Sequence, residues 1–348
     1  MDAYLFCESG DVFKGTAFGA PGDAFGELVF STTVVGWPEE MADPRFGGQI
    51  VCSTFPVTGN YGVVPEARAG KPALAAYIVR DWCGEPSNFR MEGTIDEYLS
   101  ENGVPGLCGV DTRRLTRLIR TRGPMNAIVT RSRTLSAEQK ALLCSHEPPA
   151  PAAPCAPELL AAPGGSERLV AMLDFGARGN IVEMLNKRGC GVAALPWNAS
   201  ADMICDGASA VVLSGGAGDP HAYAAAAETV RELFRREIPV LGFGLGHQIM
   251  ALAAGGECYR MPCGHRGGNQ PVRDTATGIV RITSQNHGWA VSGAFDGARA
   301  SYVNINDDTI EGLRYTDFPA ASLQFFPESS GGPGDMEFLY DEFLKGVC

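Results

Sequence analysis

Positive charge is in short supply. The 348-residue chain carries 28 lysines and arginines against 40 aspartates and glutamates, a formal charge of −12. Nucleic-acid binding rests on neutralising phosphates with clustered cations, so this balance argues against a nucleic-acid partner. Metal-type cysteine pairing is missing as well. Eleven cysteines, an odd number, are scattered without a CxxC pair, which leaves no zinc site to expect and fits free thiols in a reducing cytoplasm. The opening MDAYLFCESGDVF has an acidic residue where a secretory leader needs a basic one, and its apolar run is short. No stretch reaches the roughly 18 apolar residues of a membrane span, so no membrane helix is expected. Internal repeats are absent, as are the GxGxxG spacing and the lysine of a Walker loop.

What remains is an ordinary globular composition, 45% hydrophobic and 20% charged, in a chain long enough for two cores. One stretch runs against the overall charge: DTRRLTRLIRTRG, residues 111–123. Leu115, Leu118 and Ile119 fall at helical spacing, which predicts a helix with Asp111 near its start and arginines on its solvated side. Such a face is either plainly solvated or a docking surface for an acidic partner.

Composition divides the chain into residues 1–143, a linker over 144–167 and residues 168–348. The linker is rich in proline and alanine, with no periodic apolar pattern, and reads as an exposed crossing. Before it, YLFCESGDVFKGTAFG predicts a hairpin with its turn at GD, and GELVFSTTVV, QIVCSTFPV, AAYIVRDW and NAIVTRS read as strands. The result is a smaller α+β or sandwich-like domain. After the linker, strands alternate with helices. LVAMLDFG, CGVAALPW, SAVVLSGG and IPVLGF are the strands, while NIVEMLNKRG and HAYAAAAETVRELFRRE are helical. That order predicts an α/β domain with a mostly parallel sheet and helices on both faces. Ligands in such sheets sit beyond the carboxyl ends of the strands. Two glycine corners fall there: SGGAGDP at 214–220 and GFGLGH at 242–247.

The second corner has the form strand, G-x-x-x-G, helix. In enzymes built this way the middle residue is a nucleophile held in a strained backbone conformation beside an oxyanion hole of backbone N–H groups. Here the middle residue is Gly244, flanked by Gly242, Leu245 and Gly246, and it has no side chain. A tight structural turn and an anion-binding loop are the competing readings of the same residues.

LSGGAGDP, GFGLGHQIMALAAGG, GHRGGNQPV, SQNHGWAV and LQFFPESSGGPGD occur in the order and spacing of class I glutamine amidotransferases. GELVFSTTVVGWPEEMADPRFGGQIV, TGNYGV, GVDTRRLTRLIRTRG and LDFGARGNIVEMLNKRGC extend the likeness over nearly the whole chain. The chain therefore resembles the small-subunit family of carbamoyl-phosphate synthetases, whose C-terminal domain is flavodoxin-like. The resemblance implies a ligase subunit that serves pyrimidine or arginine biosynthesis. Its partner would be a large subunit that carries the ATP and magnesium chemistry, and no cofactor would sit on this chain. In that family an elbow cysteine attacks the amide of L-glutamine, a histidine activates the thiol, and a glutamate orients the histidine. Ammonia then passes to the large subunit, which uses bicarbonate and ATP.

Three departures follow once the likeness is laid over the chain. The nucleophile position is Gly244, the base position is Phe326, and the small residue before the base has become Phe325; Glu328 alone remains of the three catalytic groups. Loss of a nucleophile or its base in a comparable triad costs on the order of a million-fold in turnover. Glutamine hydrolysis by the usual route is thus expected to be absent, with the complex using free ammonia. The likeness also places Gly216, Gly218, Leu245, Gln248, Asn286, Gly288 and Trp289 at glutamine-binding positions, and puts Arg45 where a serine binds substrate. Arginine there either pairs with a carboxylate or fills the pocket, and occlusion by Arg45 with Phe325 and Phe326 is the favoured expectation. Two alternatives stand beside the inactive subunit. One is an active amidotransferase with a relocated nucleophile, Cys258 or Cys263; the other is a non-enzymatic small-molecule-binding or regulatory protein. His247 and His287 match family histidines that are not the base.

Overall fold

The computed structural model describes residues 1–68, 70–145, 153–161, 165–166, 168–177, 180–328 and 334–346. Much of the expected linker (146–152, 162–164 and 167) lies outside the described residues, as do 178–179 and 329–333 of the quoted motifs. The chain forms two compact units: Met1–Pro149 with His265–Gly267, and Ala150–Gly264 with Gly268–Cys348.

The first unit is built on seven strands: β1 (Asp2–Cys7), β2 (Val12–Gly19), β3 (Ala24–Ser31), β4 (Gln49–Ser53), β5 (Ala76–Ile78), β6 (Pro105–Cys108) and β7 (Met125–Thr130). The expected hairpin is present, with Leu5 opposite Phe13 and Gly10 taking the left-handed φ of +86° at its turn. The sheet does not stack as a sandwich. It closes into a barrel in the order β1-β2-β6-β5-β4-β3-β7, because β1 pairs with both β2 and β7. Closure removes the free edges that an open sheet would expose. Strand stretches such as IVC (50–52) and AYI (76–78) are apolar without interruption because both faces are covered. Ile50, Cys52, Ala76 and Ile78 join one core, and Val51 and Tyr77 the other. The basic stretch folds as helix α1 (Thr112–Arg122). Asp111 caps its N-terminus by accepting from the Arg114 N–H at 2.9 Å, and Leu115 and Ile119 are buried.

The second unit holds a ten-stranded sheet. In chain order its strands are β8 (Glu158–Leu160), β9 (Arg168–Asp174), β10 (Cys190–Pro196), β11 (Ala210–Leu213), β12 (Val240–Phe243), β13 (Glu257–Asp274), β14 (Val280–Ser292), β15 (Ala298–Asn304), β16 (Ile310–Tyr315) and β17 (Ala320–Leu323). The spatial order is β8-β10-β9-β11-β12-β17-β16-β14-β13-β15. β10, β9, β11, β12 and β17 are mutually parallel, and antiparallel strands extend the sheet on the far side of β17. β8 departs from the expectation of a bare linker: Glu158–Leu160 pairs antiparallel with β10. It supplies partners to the backbone groups of what would otherwise be the edge strand.

Alternation along the parallel strands feeds two cores. Ala171, Leu173, Val211 and Leu213 point to one face, covered by α3 (Ala224–Arg235) and α4 (Leu245–Ala253). Val170, Met172, Val212 and Leu241 point to the other, covered by α2 (Ile181–Asn186) and α5 (Phe338–Lys345). Helices on both faces explain why AVVL in β11 and VLGF in β12 are wholly buried.

α4 lies very close to β11. A Cβ built on Gly246 would sit 2.6 Å from the Leu213 Cβ and 2.8 Å from its carbonyl oxygen. Backbone cannot yield as a flexible side chain does, so Gly246→Ala is expected to lower stability by about 1–3 kcal/mol. Urea unfolding monitored by circular dichroism measures the loss, and an unchanged midpoint would refute this account of the helix–strand contact.

Candidate active site

The elbow is drawn as tightly as its sequence demands. β12 ends at Phe243 and α4 begins at Leu245, so Gly244 alone turns the chain. It does so at φ +53°, ψ −111°, a region that L side chains rarely adopt. Its N–H donates to the Leu323 carbonyl at 2.8 Å, and its own carbonyl accepts from the Gln248 N–H at 3.2 Å. These bonds hold the corner between β17 and the first turn of α4.

Phe326 occupies the space in front of the corner. A Cβ on Gly244 would meet the Phe326 Cζ at 2.6 Å and its Cε1 at 3.3 Å. The ring is anchored through its backbone, whose N–H donates to the Ser284 carbonyl on β14 at 3.1 Å. Both residues are buried. The two positions expected to hold a thiol and an imidazole are therefore in direct apolar contact. No nucleophile and no proton acceptor stands on either.

Phe325 does something different. It is fully buried and lies edge-on to Tyr302, with ring centroids 5.4 Å apart, inside the α2/α5 core. Glu328 is buried and accepts a hydrogen bond from the Tyr340 hydroxyl at 2.9 Å. Burial, reinforced by the Glu328 charge, holds the Tyr340 phenol well above its ordinary pKa, so it stays protonated and donating. A tyrosine from α5 thus takes up the carboxylate expected to orient a histidine. No local signal in the sequence marked Tyr340 for that part.

The positions expected to bind substrate are largely committed to one another. The Gln248 side-chain amide donates to the Trp289 carbonyl at 3.2 Å and to the Gln324 Oε1 at 3.1 Å. The Trp289 carbonyl also lies 2.8 Å from the His287 Nδ1. Asn286, Gly288 and Trp289 are only partly buried on β14, next to the buried Gln285 and His287. Leu245 is buried and opens α4. Gly216 pairs with Gly176 in a two-residue ladder, and a Cβ there would strike the Phe175 carbonyl at 2.5 Å and the Leu245 Cδ2 at 2.7 Å. Gly218 turns at φ +100°. In the first unit, Arg45 directs its Nε at both Asp43 carboxylate oxygens, at 2.7 and 2.8 Å. Its guanidinium is thus engaged by a neighbouring side chain of the same unit.

The candidates for a relocated nucleophile are poorly placed for the task. Burial pushes the Cys258 thiol up to about 12, and its Sγ lies 3.6 Å from the Gln248 carbonyl, an acceptor rather than a base. Cys263 is half-buried, with its Sγ 3.8 Å from the Gly264 carbonyl. His247 is fully buried, with Nδ1 2.8 Å from the Ser322 Oγ and Nε2 without a hydrogen-bond partner among the described residues. Burial lowers its pKa to about 3.

Two predictions come from this geometry. Gly244→Ala forces a Cβ into the Phe326 ring and is expected to cost about 1–3 kcal/mol. In a Phe326→Ala background the same change should cost measurably less, a coupling of about 1 kcal/mol in a double-mutant cycle. Strict additivity would discard the contact. For His247, the unfolded imidazole titrates near 6.5 and the folded one near 3. As pH falls through that window the unfolded chain takes up a proton that the folded chain refuses, so stability is lost toward acid. Between pH 7 and pH 5 the wild type should lose on the order of 2 kcal/mol more than His247→Gln. Parallel losses in the two proteins would contradict a buried neutral histidine.

Family models match both parts of the chain. Residues 5–129 match the family described as carbamoyl-phosphate synthase small chain, CPSase domain, and residues 171–346 match glutamine amidotransferase class-I. The carbamoyl phosphate synthase small chain of Bacillus caldolyticus is 42% identical over 99% of this chain and 96% of its own length. That of Methanopyrus kandleri is 40% identical over 99% and 98%, and that of Clostridium perfringens 37% over 99% of both. Among solved structures, a glutamine amidotransferase from Thermotoga maritima matches at 21% identity and a TM-score of 0.41, covering 51% of this chain and 84% of its own. Among the described residues no helix is long and apolar enough to cross a membrane.

Proposed function

The chain belongs to the carbamoyl-phosphate synthase small-chain family, and we propose that it is a member whose own glutaminase centre is inactive and whose synthetase complex draws on free ammonia. One observation carries the reading. At the elbow a glycine and a phenylalanine ring lie in contact where a thiol and an imidazole would be needed. Glycine cannot form a thioester and phenylalanine cannot accept a proton. Glu328, the remaining carboxylate, is hydrogen-bonded to Tyr340.

The partner in this reading is the large chain of the synthetase, which binds ATP and magnesium and makes carbamoyl phosphate for pyrimidine or arginine synthesis. The small chain acts as a folded companion to it rather than as an ammonia source. The residues at glutamine-binding positions keep structural duties: Gln248 ties β14 to Gln324, and Gly216 admits the Phe175 carbonyl. Cys258, with its neutral buried thiol, counts against an amidotransferase with a relocated nucleophile. A reducing cytoplasm suits the ten described cysteines, none of which is in a disulfide.

The test is a synthetase assay on the purified pair of chains. Carbamoyl phosphate should form with ammonium chloride and stay at background with glutamine. Glutamine-supported synthesis by the wild-type pair would overturn the proposal. A repair experiment probes the same point. Gly244→Cys alone should show no glutaminase activity, because its base is missing and the ring opposes the thiol. Gly244→Cys with Phe326→His should rise above either single change. Phe325 is best retained, since emptying its fully buried site would cost about 3–5 kcal/mol. Full glutaminase turnover from Gly244→Cys alone would show that the missing base is no obstacle.

A further inference from the structure

In an acidic chain, four arginines converge on one cleft, and none of them is paired with an acid among the described residues. The cleft, of about 720 Å³, is lined by Arg80, Arg113, Arg117 and Arg120 together with Thr54 and Thr116. Its shape follows from the barrel. β3, β4 and β5 run parallel, so the segments leaving β4 and β5 emerge on the same side and bring Thr54 and Arg80 together. α1 lies alongside, and its residues 113, 117 and 120 form one stripe at spacings of four and three.

The stripe is set apart from the helix's other arginines. Arg114 pairs with Asp11 at 3.2 Å and lies 4.8 Å over the Phe13 ring, and Arg122 donates to the Ser9 carbonyl. Arg80, Arg113, Arg117 and Arg120 are all exposed, and none makes an ion pair among the described residues. Several arginines elsewhere are matched to acids, Arg188 to Asp341 and Arg235 and Arg236 to Glu232. The one carboxylate on the cleft wall, Asp111, is engaged in capping α1.

Like charges held side by side repel, and the repulsion is relieved by an anionic occupant. Guanidinium groups in a row match carboxylates through paired N–H donors. A cleft of about 720 Å³ with arginines spread over two turns of α1 suits a run of carboxylates on a protein surface better than a single small anion. We propose that this arginine stripe docks an acidic surface element of the synthetase large chain. The inference rests on the function proposed above and names the face that serves it. A second copy of this chain is a poorer occupant, because two chains of charge −12 repel at long range. A nucleic acid meets the same field over the rest of the surface.

The experiment measures binding of the full-length chain to its cognate large chain by surface plasmon resonance across a salt series. The triple change Arg113→Glu, Arg117→Glu, Arg120→Glu should weaken binding at least 100-fold, mostly through the association rate, and flatten the salt dependence. The matching triple change to lysine should stay within about tenfold of wild type. Arg235→Glu, on α3, should leave affinity unchanged. The triple change to glutamine, with an unaltered circular dichroism spectrum, keeps the test valid if charge reversal disturbs folding. It should weaken binding in the same direction.

A charge-reversed chain that binds within twofold of wild type overturns the inference while the small-chain reading stands. A wild-type chain that does not bind the large chain at all removes both together. Charge-sensitive self-association, or equally tight binding of a DNA duplex at 150 mM salt, would assign the cleft to another occupant and overturn this one.

Discussion

The contact between the bare backbone of Gly244 and the Phe326 ring governs how the rest of the C-terminal unit is to be understood. Each residue makes the other possible. The ring lies where only a missing Cβ leaves room, and the glycine removes the strain that a φ of +53° imposes on any other residue. A single substitution in either direction meets a clash or leaves a gap. The two departures from a catalytic elbow are thus one coupled event in packing terms, although they lie 82 positions apart in the chain. That coupling separates a centre rebuilt around its loss from one that has merely lost a residue.

The persistence of the glycine corners around this contact has a physical cause unrelated to catalysis. Gly242 leaves 2.5 Å between its would-be Cβ and the Met250 sulfur, Gly246 abuts Leu213, and Gly216 admits the Phe175 carbonyl. The first two are close approaches between strand and helix, required where β12 hands over to α4 without a loop. Retained glycines therefore report on the fold. Gln248 belongs with them, since its side-chain amide donates from α4 to the Trp289 carbonyl on β14, the same carbonyl that lies against His287 Nδ1. The chemistry of an elbow resides in two side chains, whereas its shape resides in many residues, so shape outlasts chemistry.

Much of this was legible in the sequence because the signals are local. The strand–helix alternation after the linker, the elbow itself, the hairpin turn at Gly10 and the Asp111-capped basic helix each rest on residues within a few positions of one another. Barrel closure was not legible. It depends on β1 finding both β2 and β7, and the latter pairing spans more than a hundred residues without leaving a mark on either strand. The strand Glu158–Leu160 was hidden by composition, because proline and alanine around it read as linker while its pairing partner supplies the order. At the site, the substitutions at 244 and 326 were plain, but their contact was not. Which of two adjacent phenylalanines faces the elbow is decided by the Phe326–Ser284 bridge and by Tyr302 receiving Phe325. Tyr340, which holds Glu328, lies on a helix whose pattern shows only an apolar face.

A working nucleophile elbow is costly to keep. It holds a side-chain-bearing residue in a disfavoured backbone region, worth about 1–3 kcal/mol of strain, and leaves a polar pair beside a cavity open to substrate. Here glycine removes the strain, and the ring adds roughly 1.5–3 kcal/mol of apolar burial. Both changes act in the stabilising direction, consistent with the general opposition between catalytic strain and stability. Once another source of nitrogen relieves the elbow of its reaction, nothing in the packing resists this drift. The remaining demand on the unit is that it stay folded and present its surfaces, a demand that the Gly244–Phe326 contact serves better than a thiol and an imidazole would.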